Sequence, residues 1–99
     1  MATSYGPQAG GSNSHLNVTT TTVIKAAPGR LAKVVVVTAP SAAGGIYDSA
    51  TTTGLGASNL IDTIGIGLAS SYVFDLDWPC QVGITINPGT GGVMSVSFT

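Results

Sequence analysis

The chain has no glutamate, a single histidine, a single cysteine and only 7 % charged residues. A free-standing soluble domain carries charge on about a quarter of its residues. Charge keeps a protein soluble and monomeric, so a small chain with this little of it is best explained if neighbours cover part of its surface. The expectation is a subunit of a larger assembly. Three cations, Lys25, Arg30 and Lys33, against four Asp give a net charge of −1. That is too little for the basic patch a nucleic-acid-binding module presents, so no direct nucleic-acid partner is expected. Cys80 stands alone and excludes an intrachain disulfide, where a small secreted domain often needs several. The longest wholly apolar run is Val34, Val35, Val36 and Val37, far short of the ~20 residues that span a bilayer. No membrane partner is expected either. Residues 1–11 lack the basic start and apolar stretch of a signal peptide. Synthesis in a reducing cytoplasm follows, and Asn17-Val18-Thr19 then matches the glycosylation pattern by chance.

What is present is one domain's worth of chain, with 43 % apolar residues and 14 glycines. Residues 1–14 are mostly Gly, Ser, Ala, Asn, Gln and Pro with one aromatic, Tyr5. They cannot bury enough apolar surface to offset their ordering entropy. They read as a flexible N-terminal arm, either a frayed tail or a segment that orders on a neighbour.

Residues 15–99 read as strands. Residues 16–25 are dense in Thr, Val and Ile, which suit a pleated surface. Ala27-Pro28-Gly29-Arg30 forms a turn. The valine run in residues 31–38 suggests a central strand covered on both faces. A short strand at 46–48 and a polar loop over 49–58 follow. Residues 59–66 fit a helical face or an extended segment; the isoleucines, Thr63, Gly65 and Gly67 favour a strand. Tyr72, Phe74, Leu76 and Trp78 alternate with Ser71, Val73, Asp75 and Asp77, a period of two. Val82, Ile84 and Ile86, then Met94, Val96 and Phe98, repeat that alternation. The intervening residues 88–92 have the composition of a hairpin loop. The fold expected is all-β, an antiparallel β-sandwich of jelly-roll or Greek-key type.

Candidate chemistry is thin. His15 has neither a G-x-S-x-G serine nor a set of metal ligands at fixed spacing to work with, and reads as a polar residue at the strand entrance. Asp75 and Asp77, two apart on one predicted strand, resemble a carboxylate pair, but the series needed for a calcium loop stops at Trp78 and Pro79. A solvated strand face or a subunit contact suits them better. Gly54-Leu55-Gly56 and Gly65-Ile66-Gly67 echo part of a dinucleotide fingerprint without its strand-to-helix setting, and read as tight turns. Cys80 has no cationic residue near it in sequence and reads as buried and inert. Trp78 suits an interface anchor or a core position equally. No catalytic residue, cofactor or metal site is expected. Interface candidates are Tyr5, Pro7, His15 and Trp78.

Several strings together carry a resemblance: Val23-Ile24-Lys25-Ala26-Ala27-Pro28-Gly29-Arg30-Leu31, Gly45-Ile46-Tyr47-Asp48, Leu76-Asp77-Trp78-Pro79-Cys80, Gly83-Ile84 and Pro88-Gly89-Thr90-Gly91. In this order they resemble small structural virion proteins of tailed bacteriophages and prophages, over residues 20–98. The resemblance implies a non-enzymatic capsid decoration or cement protein on the capsid surface, made in the host cytoplasm. Its partners would be the major capsid protein and further copies of itself, a trimer being one arrangement. A tail, fibre or spike component that attaches to the host surface is the alternative.

Overall fold

Side chains two apart along a strand share a face, so each apolar alternation needs only one opposing surface to bury it. The computed structural model describes residues 13–99, and they form eight strands and no helix. These are β1 (Asn13–Val18), β2 (Thr22–Lys25), β3 (Gly29–Thr38), β4 (Gly44–Tyr47), β5 (Leu60–Ile64), β6 (Val73–Cys80), β7 (Ile84–Asn87) and β8 (Val93–Phe98). The expected arm, with Tyr5 and Pro7, lies outside the described residues apart from Asn13 and Ser14, which already belong to β1.

The strands make two antiparallel four-stranded sheets, β1-β8-β3-β6 and β2-β7-β4-β5. The pairs β1·β8, β2·β7, β3·β6 and β4·β5 are nested about the β4–β5 connection. The chain is thus one long hairpin rolled up, and the roll is closed by β3 pairing β8 and β4 pairing β7. That is the jelly-roll order. Between the sheets, Val18, Leu31, Val34, Val36, Phe74, Met94 and Val96 meet Ile46, Ile64, Ile84 and Ile86. Each such side chain stabilises the fold by roughly 1.5–3 kcal/mol through burial.

Four local expectations need correction. The strand expected at residues 16–25 is two strands, one in each sheet. Asn17 has a positive φ of 59°, the β1·β8 register shifts between His15 and Val18, and the chain then crosses to the second sheet. The valine run is covered on one face only: Val34 and Val36 are buried, Val35 is half-buried and Val37 is 48 % exposed. An antiparallel sandwich offers each sheet a single opposing sheet. The 88–92 loop joins strands of different sheets, so it crosses the sandwich instead of closing a hairpin. Finally, the alternation around Trp78 breaks at Asp77, whose φ is 46°. There β6 uses an extra residue against β3, pairing Leu31 with Trp78 but Lys33 with Asp75, a bulge.

Candidate functional site

The two outward faces of the sandwich differ. On the β2-β7-β4-β5 sheet, Ile84 and Ile86 point into the core, which turns Thr85 outward, yet Thr85 is buried. The loop after β4 covers it: the Thr85 hydroxyl donates to the Ser49 carbonyl at 2.7 Å. The Tyr47 ring lies along the same face over Gly45, 2.7 Å from where a Cβ would stand. The chain's own loop thus covers this face around Thr85, while Leu60 and Thr63 of β5 stay exposed on it.

The β1-β8-β3-β6 sheet has no such cover among the described residues. Directly paired residues share a face, and the registers align Ser14, Ser97, Lys33 and Asp75 in one row across all four strands. The next row holds Ser95, Val35 and Val73, with Leu16 following in β1. Leu16 is 68 % exposed, and Val37 and Val73 are nearly half exposed. The result is a neutral face of small hydroxyls and aliphatic side chains with one Lys33–Asp75 ion pair, and Tyr72 lies on the other, core side of the sheet with Phe74. The Tyr72 ring packs edge-on against Phe74 with centroids 5.0 Å apart.

The few charges are tied into the fold. Lys33 Nζ donates to Asp75 Oδ1 at 3.1 Å. Arg30 Nη1 donates to the Asp77 carbonyl at 2.9 Å and lies 3.3 Å from Asp77 Oδ1. Lys25 Nζ donates to the Thr99 carbonyl at 3.0 Å. Asp75 and Asp77 therefore do not form a carboxylate pair; the bulge separates them and each takes its own cation. Asp48 accepts the backbone N–H groups of Gln81, Val82 and Gly83. Partial burial would raise its carboxyl, but these three donors outweigh that and hold it below the ordinary carboxylate value.

The sequence candidates are dispersed. His15 is half-buried in β1 opposite Val96, and Trp78 is 47 % exposed in β6. β1 and β6 are opposite edges of one sheet, three strand spacings or about 14 Å apart. Cys80 is buried, and burial with the nearby Asp48 charge pushes its thiol up to about 11. Gly54 and Gly67 occupy positive-φ turns with open space around them. Among the described residues there is no cavity, no cluster of three potential metal ligands, and no helix long and apolar enough to cross a membrane. The residues that make the uncovered face, Leu16, Val37 and Val73, were not singled out in sequence, and a run of four identical valines carries no signal of which two face outward. No family model, curated protein or solved structure matches the chain.

Proposed function

We propose that this chain is a decoration or cement protein of a tailed-bacteriophage capsid, docking on the assembled head and stabilising contacts between capsomers. One observation carries the reading: one outward face of the sandwich is covered in its middle by the chain's own loop, while the other is uncovered among the described residues, neutral and partly aliphatic. A one-sided surface of this kind suits a subunit that lies flat on a larger body. Its cations are already bonded within the fold, so docking would bury few unpaired ions, which is costly. Jelly rolls recur in viral capsid domains; this is an analogy of fold, and the face carries the functional argument. Several weak contacts per oligomer would gain through effective concentration on the shell. The major capsid protein is the partner in this reading, and the capsid surface the location.

The test mixes purified protein with undecorated heads and counts bound copies. Saturable binding that raises the temperature at which heads rupture is the expected result; absence of binding overturns the reading. The second reading, a tail, fibre or spike component, is favoured by the exposed rings of Trp78 and Tyr72. Binding of host-surface glycans, without binding to heads, would select it.

A further inference from the structure

A sheet edge presents unpaired N–H and C=O groups that invite another strand, and proteins blunt such edges with charge, proline, bulges or brevity. Among the described residues the sandwich has four edges, β1 and β6 in one sheet and β2 and β5 in the other. Three are blunted. β6 carries Asp75, Asp77 and Pro79 and is kinked by the bulge at Asp77. β5 carries Asp62, whose own side chain takes the Thr63 N–H at 2.8 Å. β2 has only four residues and ends in Lys25.

β1 differs. It holds Asn13, Ser14, His15, Leu16, Asn17 and Val18, without proline, Asp, Lys or Arg. Its irregularity lies at its far end, between His15 and Val18. Residues 13–16 therefore form a regular edge without Asp, Glu, Lys or Arg. Leu16 on its outer side is the most exposed large apolar residue among those described.

We infer that β1 is a self-pairing edge, joined antiparallel to β1 of a second copy about a two-fold axis perpendicular to the sheet. The inference rests on reading the protein as an oligomeric decoration subunit and names how the copies meet. Such a two-fold keeps both bare faces on the same side, so the two four-stranded sheets become one continuous eight-stranded surface for the shell. It keeps paired residues on matching faces only in registers that set Ser14 against Ser14, or Ser14 against Leu16, of the second copy. An uncharged strand is what self-pairing requires, because a two-fold sets any charge near its twin. A two-fold edge also takes two copies, in place of the trimer suggested earlier. Either register pairs three of residues 13–16 from each copy, which bury far less than the ~1,200 Å² of a standard stable interface, so the dimer forms reversibly and is favoured by crowding on the shell.

The test is sedimentation equilibrium of the full chain from micromolar to millimolar concentration, with folding of every variant checked by circular dichroism. The wild type should rise from the mass of one 9.8 kDa chain to that of two. The double variant Ser14→Lys, Leu16→Lys sets ammonium opposite ammonium in either register and should remain monomeric. The double variant Ser14→Glu, Leu16→Glu should do the same, and mixing the two should restore the dimer mass. Val73→Lys, on the opposite edge strand, should leave dimerisation intact. Hydrogen exchange should show the amides of residues 13–16 gaining protection with concentration. A wild type monomeric throughout, or a dimer lost equally in Val73→Lys, overturns the inference. So does protection of β1 independent of concentration, which would mean that residues 1–12 of the same chain occupy the edge. Head binding by a strictly monomeric protein would overturn this inference alone and leave the proposed function standing.

Discussion

The Asp48 carboxylate accepts the backbone N–H of Val82 at 2.8 Å, across 34 positions of sequence, and so fastens the end of β4 to the β6–β7 connection. Gln81 and Gly83 donate to the same carboxylate. Three converging amides replace the hydration that the carboxylate loses on folding. Asp48→Asn should therefore destabilise the fold, by about 1–2 kcal/mol given the partial solvent screening at this site. The pH dependence has a definite sign. Because the folded carboxyl lies below its ordinary value, the contribution is present above the unfolded carboxylate range. It is lost as pH falls through the folded value. Urea midpoints of wild type and Asp48→Asn should differ at neutral pH and converge in acid; a gap that persists in acid would contradict the role.

Two glycines of the 88–92 crossing loop separate conformation from contact. Gly89 and Gly91 have φ of 83° and 72°. A Cβ at Gly91 meets open space, whereas one at Gly89 would overlap the Ala42 carbonyl oxygen and lie 2.7 Å from the Pro40 Cβ. Gly91→Ala should cost about 1–2 kcal/mol from the left-handed backbone alone. Gly89→Ala must also displace backbone, so it should cost distinctly more, read as a larger drop in thermal midpoint. Equal costs would show that the loop yields freely around Ala42.

Much of this architecture could be read from local pattern, and the exceptions have physical causes. Period-two alternation located β6, β7 and β8, because burial on one face imposes it directly, while the density of Val, Ile and Thr marked the earlier strands. It could not reveal that residues 16–25 change sheets, since Thr and Val suit either sheet and only the backbone at Asn17 marks the corner. Nor could it reveal the bulge at Asp77, where a non-glycine residue takes positive φ and Arg30 bonds its carbonyl. The bare face was harder still. An exposed valine is written like a buried one, and Val37 differs from Val36 only by which sheet face it meets. Asp48 gave no signal, because its three donors are backbone groups.

Cys80 makes a prediction about reactivity. Burial and the neighbouring Asp48 charge raise its thiol from the ordinary 9.0 to about 11. Thiolate is the reactive form, so the native protein should resist a disulfide reagent at neutral pH and react fully once unfolded in urea. The stability consequence has the opposite pH sense to that of Asp48. The contribution is complete below the unfolded value of 9.0 and is lost as pH rises through the folded value near 11. Cys80→Ala should flatten that alkaline loss. Rapid labelling of the folded protein near pH 7 would show that the β6 end opens readily.

The bare face can be tested apart from the edge. Val37 and Val73 are about half exposed, and neither belongs to the buried core. Replacing either with Asp removes little buried apolar area, so the thermal midpoint should move by no more than a few degrees, as ordinary surface changes do. The same changes place an uncompensated carboxylate at the β3–β6 end of the proposed contact, where desolvation without a partner is penalised. Val37→Asp with Val73→Asp should therefore weaken binding to undecorated heads at least ~10-fold while leaving the fold intact. Asp substitution at Thr52, which is exposed in the loop after β4, serves as the control on the loop-covered side and should leave binding unchanged. If the Thr52 variant lost binding and the valine variants kept it, the docking surface would lie on the opposite sheet.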